Sequence, residues 1–124
     1  MRHRILIVSR DVAGVSAALK VLIDAGYEAD GAGTFDDATR LLATDRTDLL
    51  ITDQRLGAYN GLHLIIRGQA ADPNMSAIVT TPTTDSVVEA EAKQFRAEYM
   101  VRPLDAEEWL RQLARILEQR SLAS

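Results

Sequence analysis

The chain has 124 residues, 47% apolar and 26% charged, which suits one domain with a real core rather than a disordered segment. A net charge of −4 argues against general nucleic-acid binding, which needs a basic footprint. The absence of cysteine excludes disulfides, thiolate chemistry and cysteine-based zinc sites.

Residues 5–8, Ile-Leu-Ile-Val, form a continuous apolar run, as in a parallel strand buried on both faces. From Asp11, the apolar residues Val12, Val15, Leu19, Leu22 and Ile23 recur at helical spacing, and Gly26 stands where such a helix stops. Residues 27–32 read as a short, weak strand. Thr34 is placed as a helix N-cap, with Asp37 three residues on as an acidic variant of the capping box. That helix carries Ala38, Leu41 and Leu42 and fades near Asp45. Residues 49–52, Leu-Leu-Ile-Thr, are the next buried strand, and they end in Asp53. A loop over 54–60 contains Gly57 and leads into Asn60-Gly61. Leu62, Leu64, Ile65 and Ile66 belong to a third helix that stops before Pro73. Residues 77–80 read as a fourth strand, 85–95 as a fourth helix and 98–101 as a fifth strand. After Arg102-Pro103 comes a last helix, capped by Asp105 with Glu108 three residues on, whose inner face holds Leu110, Leu113, Ile116 and Leu117. The tail after Arg120 is expected to fray.

Strand–helix alternation of this kind predicts an α/β fold, a parallel sheet with helices on both faces and right-handed crossovers, in one domain over 1–124. Ligands of open α/β sheets bind beyond the carboxyl ends of the strands. Those ends carry Ser9, Arg10 and Asp11 from the first strand, Asp53 from the third, Thr80 and Thr81 from the fourth, and Arg102 from the fifth. A carboxylate, hydroxyls and cations are thus expected on one edge.

Five short motifs in order, "ILIVSRD" at 5–11, "LLITD" ending in Asp53, "NG" at 60–61, "IVTT" at 78–81 and "YMVRP" at 99–103, make the whole chain resemble a response-regulator receiver domain of the CheY-like family. The resemblance implies a flavodoxin-like (βα)5 doubly wound sandwich with a five-stranded parallel sheet in the order 2-1-3-4-5. It implies a signalling module rather than an enzyme, with Asp53 as phosphoacceptor, Thr80 or Thr81 as the switch hydroxyl, Tyr99 as the switch aromatic and Arg102 in place of the family's lysine. It also implies Mg²⁺, a sensor histidine kinase or phosphotransfer protein as partner, and homodimerisation through the face of the fourth helix, fifth strand and fifth helix. Thr81 has the better spacing from Asp53 and is preferred. Thr80 restores the family spacing to Arg102 and leaves Thr81 with an N–H for phosphate, which Pro82 lacks. The family's Lys-Pro bond is commonly cis, and the same is expected of Arg102-Pro103.

The pocket departs from the family pattern. Ser9 and Arg10 stand where two acidic residues belong, and Asp11 and Arg55 complete its surroundings. Arginine is always charged and cannot ligate a metal. In one reading, Arg10 and Arg102 both pair with Asp53 and imitate a neutralised site without Mg²⁺, leaving Asp53 weakly phosphorylated or not at all. In the other, Arg10 swings into solvent, and Asp11 turns inward beside Asp53 as a substitute metal ligand.

Other features have plainer readings. His3 and His63 lack ligand-like spacing. Trp109 reads as a partly buried helix residue. Gly31-Ala32-Gly33 lacks the third glycine of a dinucleotide site. Arg111 and Arg115 form a solvated stripe beside glutamates. Two other functions compete with a receiver: a ligand-free structural or oligomerisation domain, and a flavodoxin-like protein that binds a nucleotide or flavin. The second lacks a Gly, Ser and Thr-rich loop after the first strand. No apolar run approaches the ~18 residues that read as a membrane span, and the N-terminus is no signal peptide, so the expected compartment is the cytoplasm.

Overall fold

A computed structural model describes residues 2–102 and 105–123. The Arg102-Pro103 bond, expected to be cis, lies outside them. The order of elements is β1 (Arg4–Val8), α1 (Val12–Asp24), β2 (Glu28–Ala32), α2 (Phe35–Thr44), β3 (Leu49–Asp53), β4 (Arg55–Leu56), β5 (Tyr59–Asn60), α3 (Leu62–Ala71), β6 (Ser76–Thr81), α4 (Ser86–Gln94), β7 (Glu98–Val101) and α5 (Ala106–Ala123). The main sheet runs β2-β1-β3-β6-β7, every pair parallel. Counted among its own five strands this is the expected order 2-1-3-4-5.

The apolar runs are continuous because both faces of the sheet are covered. Side chains alternate along each strand. Leu6, Val8, Leu50 and Val79 join the core that includes residues of α2, α3 and α4. Ile5, Ile7, Leu49, Ile51 and Ile78 join the opposite core with residues of α1 and α5. Burying each such side chain contributes about 1.5–3 kcal/mol, so the central strands anchor the site edge.

The caps expected from sequence are present. Thr34 accepts from Asp37 N at 3.1 Å, and Asp105 accepts from Glu108 N at 3.2 Å, while α4 begins one residue later than expected with Asp85 itself as its cap, accepting from Val87 and Val88 N, both at 3.1 Å. Gly26 closes α1 with φ 97°, a conformation that glycine adopts without penalty.

Two details differ from the reading of the sequence. Val12 and Ile23 are 74% and 55% exposed, because α1 turns Val15, Leu19 and Leu22 to the sheet and leaves the ends of its apolar stripe outside. The stretch expected as loop over 54–60 holds a small antiparallel hairpin, β4 against β5, with Arg55 opposite Asn60. Its two-residue turn begins at Gly57, with φ 65°. Among the described residues, no helix is long and apolar enough to cross a membrane.

Candidate functional site

Register brings the site together. Val8 lies beside Thr52, and Asp53 beside Thr80, so the carboxyl ends of β1, β3 and β6 finish at one level. This level includes the point where strand order reverses about β1 and β3, which is where open α/β sheets bind ligands.

Asp53 is the hub. Its side chain is 13% exposed. Ser9 Oγ donates to Oδ2 at 2.6 Å, and Thr80 Oγ1 donates to Oδ1 at 2.8 Å. Both hydroxyl residues are buried. Arg102 Nη2 stands 3.5 Å from Oδ2 as an ion pair. Behind Ser9, Asp11 N donates to Ser9 Oγ at 3.1 Å, so a short relay runs from that amide through the hydroxyl to the carboxylate. Each carboxylate oxygen therefore holds a charge-assisted bond.

The geometry corrects three expectations. Thr80, not the preferred Thr81, meets Asp53, because neighbouring strand residues point to opposite faces. Arg10 does not pair with Asp53. It is exposed, and its Nη1 lies 3.8 Å from where a Cβ on Gly57 would stand. Nor does Asp11 turn inward as a substitute ligand: its Oδ1 caps α1 by accepting from Gly14 N at 3.0 Å. Arg55 is exposed and shares with Asp53, Thr81, Thr83 and Arg102 the lining of a polar recess of about 400 Å³.

Thr81 serves a different network. Its hydroxyl donates to Thr83 O at 2.7 Å and therefore accepts from Tyr99 OH, also at 2.7 Å. Tyr99 OH in turn accepts from Asp85 N at 2.8 Å. This chain ties β7 to the N-terminal end of α4. Tyr99→Phe removes its middle link, and the expected cost is about 1 kcal/mol in urea unfolding, with faster hydrogen exchange at the Asp85 amide.

Among the described residues at this corner, Asp53 faces inward while Asp11 caps α1, so Mg²⁺ would meet few carboxylates there. This ion takes oxygen ligands and binds through carboxylates. Among the described residues, no group of three or more His, Cys, Asp or Glu could hold a metal ion. At the two positions after β1, a serine hydroxyl is committed to Asp53 and an arginine brings a positive charge.

Sequence reasoning missed one residue of the site. A Cβ on Gly61 would stand 2.0 Å from Asp53 O and 2.6 Å from Thr52 Oγ1, so the backbone there passes directly against the end of β3. The Asn60-Gly61 pair was the available signal. Asn60 Oδ1 accepts from Leu62 N at 3.0 Å and turns the chain into α3.

A doubly wound sheet with a strand-end aspartate, a hydroxyl on the next strand and a cation on the one beyond defines a receiver-type architecture. The family model for the response regulator receiver domain matches residues 5–115, and the chain belongs to that family. The CheY-like receiver domain protein of Methanospirillum hungatei JF-1 is 22% identical, with a TM-score of 0.94 and 100% of both chains covered. The signal receiver domain of an HD domain-containing protein from Pseudomonas fluorescens Pf-5 is 26% identical, with a TM-score of 0.89 and 98% of each chain covered. A response regulator from Burkholderia pseudomallei, solved with a phosphorylated aspartic acid, a calcium ion and citrate, is 22% identical with a TM-score of 0.81, covering 87% of this chain and 64% of that one. A search of curated protein sequences finds no match.

Proposed function

We propose that this receiver domain works without Mg²⁺-dependent phosphorylation, with Asp53 held in a paired state by the chain's own groups. The observation that supports the reading is the set of partners on Asp53: the Ser9 and Thr80 hydroxyls, one on each oxygen, and the Arg102 guanidinium. In an ordinary receiver a metal ion offsets the carboxylate and the incoming phosphoryl oxygens. Here two hydroxyl donors and a guanidinium already stabilise the carboxylate. A phosphoryl donor approaching Asp53 would have to displace these bonds, with no metal to offset the added charge.

The Tyr99–Thr81 chain suits the same reading. It holds the aromatic against the β6–α4 connection through the chain's own groups. Receiver domains interact with histidine kinases or phosphotransfer proteins and can dimerise. We assign the partner surface of this one to the face of α4, β7 and α5, in a cytoplasmic domain that is not an enzyme.

Intact mass after incubation with Mg²⁺ and acetyl phosphate tests the proposal, with Asp53→Asn as control and an ordinary receiver labelled in parallel. The expected result is no adduct on this chain. An 80 Da adduct, about the mass of one phosphoryl group, that is absent from the control would overturn the proposal and make Asp53 a working phosphoacceptor.

A further inference from the structure

Asparagine followed by glycine is prone to lose its side-chain ammonia, because a residue without a Cβ leaves its backbone nitrogen open to approach. The chain has one such pair, Asn60-Gly61, at the join of β5 and α3, and its other asparagine, Asn74, precedes the bulkier Met75. The structure holds both reacting groups. Gly61 N donates to Gln54 O at 2.8 Å, and Asn60 Oδ1 accepts from Leu62 N at 3.0 Å. Gly61 also backs onto the end of β3, with no room for a Cβ between it and Asp53 O. For the nitrogen to meet the side-chain carbon, both bonds must break and the peptide between the two residues must turn from its seat. The strands that hold this seat, β4 and β5, have two residues each. A hairpin that short has little stability of its own, so its opening is local rather than global.

We propose that Asn60 is a modification site that the fold keeps shut and that opening of the β5–α3 join exposes to deamidation. The Gly61 nitrogen, its proton passed to solvent, attacks Asn60 Cγ. A new N–C bond forms, the bond from Cγ to the side-chain nitrogen breaks, and ammonia leaves. Water then opens the succinimide at either carbonyl. One opening gives aspartate at position 60. The other gives isoaspartate, in which the main chain runs through the former side chain and is one carbon longer. Both products place a carboxylate across the hairpin from Arg55, an exposed cation. Only isoaspartate lengthens the backbone between β5 and α3, and Gly61 then loses its seat beside Asp53. Chemical ageing at this pair would therefore reach the corner that holds Asp53. None of this depends on whether Asp53 accepts a phosphoryl group.

Peptide mass spectrometry of the chain kept in warm, neutral buffer tests the proposal, through the mass gain of an amide replaced by an acid. In guanidinium chloride Asn60 should deamidate within days while Asn74 changes little. In the folded chain Asn60 should react at least ~100-fold more slowly, the factor for an opening well short of global unfolding. The Gly61 N–H must leave Gln54 O both to exchange its hydrogen and to attack, so deamidation should be slowed at least as much as Gly61 exchange is. Guanidinium chloride below the unfolding transition should raise the two rates together. Asn60→Asp carries the direct product on an unaltered backbone and keeps an acceptor for Leu62 N, so its urea midpoint should match the parent chain. The isoaspartate form, purified from unfolded, aged chain and refolded, should have a lower midpoint. Equal deamidation in the folded and unfolded chains, or a folded rate that does not follow Gly61 exchange, overturns the gating. An isoaspartate form as stable as Asn60→Asp overturns the damage to the corner.

Discussion

Replacing Ser9 and Arg10 together by aspartate should convert this domain into one that binds Mg²⁺ and labels on Asp53 from acetyl phosphate. The change removes one cation and adds two carboxylates beside an aspartate that is already 87% shielded from solvent by its surroundings, its side chain being 13% exposed. At an effective dielectric constant near 20, two unit charges ~4 Å apart interact by ~4 kcal/mol. Two carboxylates within reach of a bound cation therefore outweigh the loss of the charge-assisted hydroxyl bond from Ser9, worth about 1.5–3 kcal/mol. Mg²⁺ affinity, followed through Trp109 fluorescence, should rise more than ~100-fold, or about 2.7 kcal/mol. Intact mass should show a phosphoryl adduct that Asp53→Asn abolishes. Ser9→Asp alone, with Arg10 kept, should gain much less. If the double variant binds no metal, the departures at these two positions do not account for the site, and Arg102 or the β3–α3 connection must be responsible.

Gly61→Ala should be among the most damaging single-methyl changes in the chain. The added Cβ would meet Asp53 O at 2.0 Å and Thr52 Oγ1 at 2.6 Å. The first is backbone of the central strand β3, hydrogen-bonded between β1 and β6, so it cannot give way cheaply. The φ of Gly61, −60°, is one any residue adopts, so the penalty is collision rather than strain. Overpacking of this kind costs about 1–3 kcal/mol and occasionally more, and the upper end is expected here. Urea denaturation measures it. The collision sits on Asp53 itself, so amide chemical shifts of Asp53 and Thr80 should move as well. A loss below ~0.5 kcal/mol, the size of an ordinary surface substitution, would mean that the α3 entry has slack that the close approach does not suggest.

The elements were legible because their signals are local. Continuous apolar runs marked β1, β3 and β6, since strands covered on both faces need no polar alternation. Thr34 and Asp105 began helices where their side chains could take up free N–H groups. The set of residues at the site edge was legible too, because parallel strands deliver their carboxyl ends to one side.

What lay beyond the sequence was geometry between elements. Thr80 and Thr81 are adjacent and chemically identical, so nothing local separates them. The pairing of Asp53 with Thr80 across β3 and β6 decides that Thr80 meets the carboxylate, and the strand's two-residue alternation sends Thr81 to Tyr99. Arg10 and Ser9 both follow β1, yet the buried one meets Asp53 while the exposed arginine extends toward Gly57. Asp11 looked free to enter the pocket, but α1 begins at the next residue and needs a cap. The close approach at Gly61 is a distance between two elements, β3 and the start of α3. By itself, then, the sequence determined the fold, its strand order through family resemblance, and the carboxylate, hydroxyls and cations that share one edge, because local periodicity and topology suffice for those. Tertiary structure alone decided which hydroxyl bonds Asp53, where each arginine goes and what space is left at Gly61, because those depend on register and packing between strands and helices that no local pattern encodes.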